Sequence, residues 1–544
     1  MDNNDLKLNE FKEEIINEIE KRKNDGILET ENAEFLIKLI NNADTKDDVL
    51  KLSILGTTYK RTGFHFDVRL EKNDGKTINY LKYNSDLSFN CSCGGGVTHK
   101  LIIGDNYPAL LNLLISYKRK IKVIYIDPPY GKDHLGEFAK TNYDNAITRD
   151  NLLSMLYPRL MLAKQLLRDD GVIFCSIDDR NQAYVKCLFD EVFGERNFIS
   201  NIVWSNKEGG GGSDSKHFRN KHEYILCFAI NRKNLEIHAQ DVEDIDRYTL
   251  SDEYEETRGK YQLIKLDSGS LGWVKSLDYP IKLEGKTFYA GGSYEKWLDR
   301  QNGGASIKDW GWRWSQDKLE WGIKNDFIVI KENSKGEWNI YTKQYLNCDS
   351  DGNIKPRKLQ PIAIIDKYSN TQSNQLIKAL GLQFLYSKPV ELIKHLLKIS
   401  TSPDAEEQDI ILDFFAGSGT TGHAIMELNR EDGGKRQFIL VTNNEKTDIN
   451  PNGIAYDVTS KRLKRVMTGK CYDGTDNFKW LEKNKPYNDE LEVTEINQIP
   501  TSSQNIFNEI DEKLYNKDFK DNIHDKIDWI CSEFEITCKK IEGE

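Results

Sequence analysis

Ile410-Ile-Leu-Asp-Phe-Phe-Ala-Gly-Ser-Gly-Thr-Thr-Gly422 joins a short apolar run, a glycine-rich turn and the opening of a helix, GTTGHAIMELNRE. A second apolar run, QFILVTNNE, follows at 437–445. Short apolar runs that alternate with helical stretches mark strands buried on both faces of a parallel sheet. The same rhythm runs upstream, with LIIGDN at 101–106, then PALLNLLISYK, then KVIYID. RLMLAKQLLRDDG reads as a helix closed by Gly171, and VIFCSID as the next strand. NFISNIVW (197–204) and HEYILCFAI (222–230) read as two longer strands. The expected class is α/β, with a doubly wound sheet.

The turn after Asp413 carries glycines at 417, 419 and 422, which let the backbone bend tightly and approach a ligand. A helix start favours a polar or anionic group there. The spacing matches G-x-G-x-x-G, and no terminal G-K-[ST] follows, which excludes a Walker A loop. Glu445, 23 residues past Gly422, is placed to bind ribose hydroxyls. This half of the chain implies a nucleoside cofactor in a Rossmann-like crevice and leaves NAD and S-adenosylmethionine both open.

Asp127-Pro-Pro-Tyr130 follows the run VIYI directly. Strand ends of such sheets are where ligands bind. The two prolines fix the backbone. The Asp127 carboxylate and the Pro128 carbonyl can both accept from an amino group, and Tyr130 offers a face for stacking. That set suits a planar, amino-bearing base drawn out of its stack.

The other segments carry less chemistry. FKEEIINEIEKRK and AEFLIKLINNA read as charged amphipathic helices, and FHFDVRL with TINYLKY as a hairpin around Asn73-Asp74-Gly75. Residues 208–215 (EGGGGSDS) read as a loop. Residues 236–375 lose the βα rhythm and are rich in Trp, Tyr, Gly and Lys, as in DWGWRWSQDKLEWG. The expected organisation is an extension at 1–95, a first core half at 96–235, an inserted α+β module at 236–375, a second core half at 376–485 and an acidic extension at 486–544.

The net charge of -11 argues against a nucleic-acid partner until it is resolved along the chain. Residues 1–60 carry -5, residues 486–544 carry -9, and the 425 residues between carry +3. SKRLKRV (460–466), Trp310, Trp312, Arg313, Trp314, Lys207 and Lys216 are the candidate DNA contacts, each with ordinary core or surface roles as the alternative. The nine cysteines are dispersed and odd in number, as in a reducing compartment. Cys91-x-Cys93 lacks a second pair, so no metal is expected. No apolar run reaches the roughly 18–20 residues of a membrane span, and the polar MDNNDLKLNEFKEE start does not read as a signal peptide. A cytoplasmic protein is expected.

Asp-Pro-Pro-Tyr followed much later by Phe-x-Gly-x-Gly resembles the β-class amino-methyltransferases of DNA. There the catalytic motif precedes the cofactor motif, a circularly permuted order, and the target-recognition domain lies between them. LIIGDN, YPRLMLAKQLLRDDGVIFCSIDD (157–179), NFISNIVW, KHEYILCFAIN (221–231), SKPVELIKHLL (387–397) and QFILVTNNE are similar to the modification subunit of type III restriction-modification systems. The resemblance covers roughly residues 100–235 and 385–470. It implies that Asp127, Pro128, Pro129 and Tyr130 form the catalytic motif. It implies that Asp413, Phe415, Gly417, Gly419 and Thr420 line S-adenosylmethionine, with Glu445 on the ribose and Asp105 near the adenine. Lys388-Pro389 resembles the motif that closes over the cofactor. Many relatives continue the catalytic motif with Asn-Thr, whereas Gly131-Lys132 stands here.

The resemblance further implies methyl transfer to N6 of adenine in a short duplex-DNA sequence, a homodimer, a possible helicase-nuclease restriction subunit, and no membrane partner. N4-cytosine methylation is the nearest alternative. An NAD-dependent enzyme leaves Asp-Pro-Pro-Tyr unexplained, and a non-catalytic DNA specificity subunit conflicts with the intact motifs. C5-cytosine methylation needs a Pro-Cys nucleophile, and that dipeptide is absent.

Overall fold

A computed structural model describes residues 3–24, 30–55, 76–91, 96–130, 149–207, 217–242, 244–520 and 522–538. The chain divides into two units, Met1–Arg69 and Leu70–Glu544. The first contains helices Asn3–Asn24, Thr30–Asn41 and Lys46–Leu55. Ile19, Ala33, Leu36, Ile40 and Val49 form its core. The last helix opens on Thr45, whose Oγ1 accepts from the Asp48 amide at 3.1 Å, a reciprocal cap with the Asp48 carboxylate.

The second unit is organised by ten strands. They are β1 (Thr77–Tyr83), β2 (Thr98–Ile103), β3 (Ile121–Ile126), β4 (Leu167–Ile177), β5 (Phe198–Ser205), β6 (His222–Ala229), β7 (Ile364–Ile365), β8 (Ile410–Asp413), β9 (Gln437–Thr442) and β10 (Glu490–Pro500). Their order is β1-β10-β2-β9-β8-β3-β4-β6-β5-β7. From β10 to β4 every neighbouring pair is parallel. β6 then runs antiparallel to both β4 and β5. All six residues of β3 are buried, as expected of a strand covered on both faces.

The covering helices are α1 (Asn106–Tyr117), α2 (Arg149–Leu166), α3 (Gln182–Phe193), α4 (Val390–Ser400), α5 (Thr420–Asp432) and α6 (Lys461–Thr468). After β8 the chain passes through α5 to β9 on one side. After β3 it passes to β4 on the other. The neighbours β8 and β3 therefore flank the switch point of the sheet, where a crevice opens beyond the carboxyl ends of the strands. Asp413 and Asp127 stand at those two ends.

Two sequence expectations change, and a third falls partly outside the described residues. The helix ending in LRDDG stops at Leu166, and β4 begins at Leu167. There Arg168 and Asp170 pair at 2.9 Å and Lys122 meets Asp170 at 2.7 Å, so the polar stretch is spent on charge pairs along the strand. TINYLKY pairs antiparallel with Glu490–Pro500, and FHFDVRL lies outside the described residues. The acidic extension expected at 486–544, one of the terminal extensions expected to be helical, contributes a strand to the core, because β10 lies inside the sheet between β1 and β2. Its Tyr515 hydroxyl accepts from the Leu81 amide at 2.8 Å, and Tyr515, Trp529 and Phe534 pack together.

The inserted segment builds its own cores around Leu266, Phe288, Trp312, Leu319 and Ile340, and around Phe327, Tyr345 and Cys348. A three-stranded antiparallel sheet supports them, made of Tyr261–Lys265, Ile328–Glu332 and Trp338–Tyr345. Among the described residues no helix is long and apolar enough to cross a membrane.

Candidate active site

The glycine-rich turn begins where β8 ends. Asp413 is 2% exposed. It accepts from the Phe415 amide at 2.9 Å and from the Thr421 hydroxyl at 2.5 Å, which ties both ends of the turn to one carboxyl. Burial raises its pKa to about 7 against those two hydrogen bonds. Gly417 (φ +47°) and Gly419 (φ +77°) take left-handed backbone that disfavours side chains. A Cβ on Gly422 would meet Leu440, Leu463 and Phe438 at 3.1 Å each, so this glycine lets α5 lie close on β9 and α6.

Beneath the α5 N-terminus lies Arg462, which is fully buried. Its Nη1 donates to the hydroxyls of Thr420 at 2.9 Å and Ser418 at 3.0 Å, and lies 3.4 Å from Ser387 Oγ. Its partners are hydroxyls, a carbonyl and His423 rather than a carboxylate. Burial lowers its pKa to about 9. A hydroxyl oxygen that accepts from a cation leaves its own hydrogen to donate elsewhere. Ser387, Ser418 and Thr420 also lie 2.9–3.2 Å from one another, so the buried cation sits under a mutually hydrogen-bonded hydroxyl cluster beside the helix start. SKRLKRV is thus no free basic face. Arg462 is inside, Arg465 donates to the Leu380 carbonyl, Lys461 pairs with Asp457 at 2.8 Å, and Lys464 lies 3.8 Å over the Phe89 ring.

At the end of β3, Asp127 forms the centre of a charged cluster. Lys388 Nζ donates to its two oxygens at 2.8 and 2.9 Å. The Tyr130 hydroxyl donates to Asp127 Oδ1 at 2.8 Å and accepts from Lys388 at 2.8 Å. Glu223, on β6, reaches the same group, with Oε2 3.1 Å from the Tyr130 hydroxyl and 3.4 Å from Lys388 Nζ. Asn206 Nδ2 donates to the other oxygen of Glu223 at 2.7 Å. Asn181 Nδ2 donates to the Tyr130 carbonyl at 2.6 Å and so braces the turn.

Burial pushes the Asp127 carboxyl up, while Lys388 and the Tyr130 hydroxyl oppose it. Burial works against the Lys388 ammonium, yet Asp127 and Glu223 outweigh it and hold its pKa above the usual lysine value. Burial drives the Tyr130 phenol well above 10, so it stays protonated. Cys175, on neighbouring β4, is likewise held as a neutral thiol by burial. It makes a poor nucleophile.

The remaining candidates lie around the same edge. Asp105 caps α1, accepting from the Tyr107 amide at 2.7 Å, and meets Arg159 at 3.2 Å. Its neighbour Asn106 donates to the Phe414 carbonyl at 2.8 Å, which ties the Gly-Asp-Asn turn to the glycine-rich turn. Glu445 follows β9 and is partly buried, with its carbonyl accepting from the Ile454 amide at 2.9 Å. Pro389 precedes α4 at φ -64°. Lys388 stands on the Asp127 cluster, while the adjacent Ser387 stands on the hydroxyl cluster, so this short segment touches both halves of the crevice.

A sequence profile described as DNA methylase matches residues 121–447, the span that holds both clusters. The chain belongs to this DNA methylase family. A second profile, of an uncharacterised conserved protein, matches residues 9–123 of the methylase. The EcoPI Mod subunit of a type III restriction-modification enzyme, from Escherichia phage P1, is 29% identical over 80% of this methylase and 71% of its own length. The EcoP15I Mod subunit from Escherichia coli is 26% identical over 80% and 72%. The type II methyltransferase M.KpnI from Klebsiella pneumoniae is 28% identical over 75% and 95%. Among solved structures, a DNA modification methylase from Thermus thermophilus complexed with S-adenosyl-L-methionine is 12% identical over 73% of this methylase and 98% of that chain, with a TM-score of 0.31.

Glu223, Asn206 and Asn181 are site residues not singled out from the sequence, and Arg462, read there as part of a basic DNA-contact helix, joins the hydroxyl cluster instead. Glu223 was visible as an acid at the start of the apolar run HEYILCFAI. Arg462 was visible by spacing, because it lies four residues before Val466 and shares that apolar helix face. Of the tryptophans, Trp312 is core at 1% exposure while Trp310 is 40% exposed. Lys216 lies outside the described residues.

Proposed function

We propose that this methylase modifies N6 of adenine in a short duplex-DNA sequence, as the modification subunit of a type III restriction-modification system. The observation that carries the reading is Asp127-Pro-Pro-Tyr130 standing at the switch point beside the glycine-rich turn. S-Adenosylmethionine supplies an electrophilic methyl group when bound. The residues suit it. Thr420, Ser418 and Ser387, backed by the buried cation of Arg462, complement a carboxylate. Glu445 is the ribose acceptor, and Asp413, Phe415, Gly417 and Gly419 shape the turn between them. Asp105 and Pro389 belong to the rim.

Adenine N6 is a weak nucleophile because its lone pair is delocalised into the ring. The Asp127 carboxylate and the Pro128 carbonyl accept from the two amino hydrogens, which favours pyramidal nitrogen and frees the lone pair. Tyr130 stacks on the extruded base, and Pro129 fixes the turn that aims both acceptors. Transfer is a direct displacement in which the nitrogen takes the methyl group, the S–CH3 bond breaks to leave a neutral thioether and the surplus amino proton is released to solvent, so no thiol or hydroxyl of the protein needs to form a covalent intermediate. Holding the two reactants in line supplies much of the acceleration.

DNA is held by the inserted segment. A cleft of about 530 Å³ there is lined by Arg313, Arg357 and Lys358, by Trp314, and by Lys355 paired with Asp349 at 2.7 Å. Phosphate contacts of this kind position a duplex without reading it. A homodimer and a helicase-nuclease partner complete the proposed assembly. The test is transfer of radiolabel from S-adenosylmethionine to duplex DNA by the purified full chain. Incorporation that depends on Asp127 is expected, and its absence refutes the reading.

A further inference from the structure

Asp127 has two duties that conflict. To capture an amino group it must offer an oxygen lone pair to the crevice. Three of its roughly four lone-pair positions are already taken, two by Lys388 Nζ at 2.8 and 2.9 Å and one by Tyr130, so only one is left for the base while the lysine spans both oxygens. An ammonium is the strongest donor at hand, and a neutral amino group does not displace it without a second acceptor for the charge.

Glu223 is that acceptor. Its Oε2 lies 3.4 Å from Lys388 Nζ, which is longer than the Asp127 contacts and short enough to close by a small rotation of the lysine head. Its Oε1 is anchored by Asn206 Nδ2 at 2.7 Å. The Asn206 backbone is in turn fixed, its amide donating to Lys221 and its carbonyl accepting from Asn370, both at 3.0 Å. Glu223 also sits on β6, a strand paired on both sides. The acid is therefore rigid, and the lysine is the movable member. The other carboxyl nearby, Asp413, is committed to Phe415 and Thr421. Side-chain exposures of 23% for Asp127, 17% for Glu223 and 11% for Lys388 leave the cluster open to a ligand from the crevice.

We infer that Glu223 is a positioning residue that draws the Lys388 ammonium off Asp127 as the target base enters, freeing Asp127 to hold the amino group. This rests on the proposed methyl transfer to an exocyclic amine. The base contributes neutral hydrogen bonds, so the cluster keeps one cation and two carboxylates throughout, and only the pairing changes. No covalent bond is made or broken in the hand-over.

The test uses the full chain with duplex substrate in single turnover. Glu223→Gln keeps the size of the side chain and an oxygen for Asn206, so folding is expected to survive, which a melting curve checks. Transfer is expected to slow by about 100-fold, as for a misplaced reacting group, with cofactor affinity unchanged. Glu223→Asp, which keeps the charge, is expected to recover part of the rate. A crystal structure with duplex DNA and sinefungin is expected to show Lys388 Nζ paired with Glu223 and no longer spanning both Asp127 oxygens. A Glu223→Gln rate within three-fold of wild type, or Lys388 still spanning Asp127 around a captured base, overturns the inference. Either result leaves the methyltransferase reading intact, because that reading falls only to a full chain that transfers no methyl group to DNA, to the wrong methylated nucleoside, or to an active Asp127→Ala variant.

Discussion

Asp127 and Asp413 end adjacent parallel strands of one sheet, and burial raises the pKa of both, yet they do different work. Asp413 is sealed, with its oxygens spent on an amide and a hydroxyl of its own turn. Asp127 is partly open, with its charge balanced by a lysine that comes from 261 residues away in sequence. One carboxyl shapes a loop, and the other faces the crevice with a lysine opposing the upward push of burial. The difference lies in the partner rather than in burial, because a buried carboxyl without a cation drifts toward its neutral form.

Removing each acid breaks the comparison in a different way. Asp127→Ala should abolish methyl transfer, by more than about 1000-fold, since it removes an acceptor needed as the nitrogen changes shape. Equilibrium binding of S-adenosylmethionine should stay near normal, and near-wild-type turnover would end the assignment.

Asp413→Asn should act on stability, with a defined dependence on pH. The folded pKa of about 7 lies above the ordinary aspartate value, so Asp413 destabilises the native state increasingly as pH rises from about 4 to 7. Asparagine can still accept from Phe415 and carries no charge. Its advantage over aspartate in urea unfolding should therefore grow between pH 5 and pH 8 by on the order of 2 kcal/mol. A constant difference across that range would show that Asp413 does not titrate there.

Tyr130→Ala should weaken base capture by about 1–3 kcal/mol, read from 2-aminopurine fluorescence at the target position. The smallest effect should come from the inserted segment. Lys358→Ala should lower affinity equally for cognate and unrelated duplexes and reduce the salt slope by about one. A loss confined to the cognate duplex would make Lys358 a base reader instead.

The two acids were legible in sequence because each follows an apolar run and precedes a turn of unusual composition. The βα rhythm likewise exposed most of the sheet. What periodicity could not show was pairing between distant segments. β10 is 11 residues of mixed polarity near the C-terminus, and nothing local announces that it enters the sheet beside β2. Glu223 and Lys388 were each quoted within recognisable stretches, but their meeting at Asp127 is a fact of strand order. Net charge misled for the same reason. Arg462 counts as +1 in composition, and in the fold it lies buried under the glycine-rich turn, away from the surface.

Methylating duplex DNA with the purified chain and identifying the modified nucleoside after digestion tests the assignment most directly. N6-methyladenine is expected, in one short sequence context, and absent when Asp127→Ala replaces the wild type. N4-methylcytosine in its place, or N6-methyladenine formed equally well by the variant, would contradict the proposed chemistry.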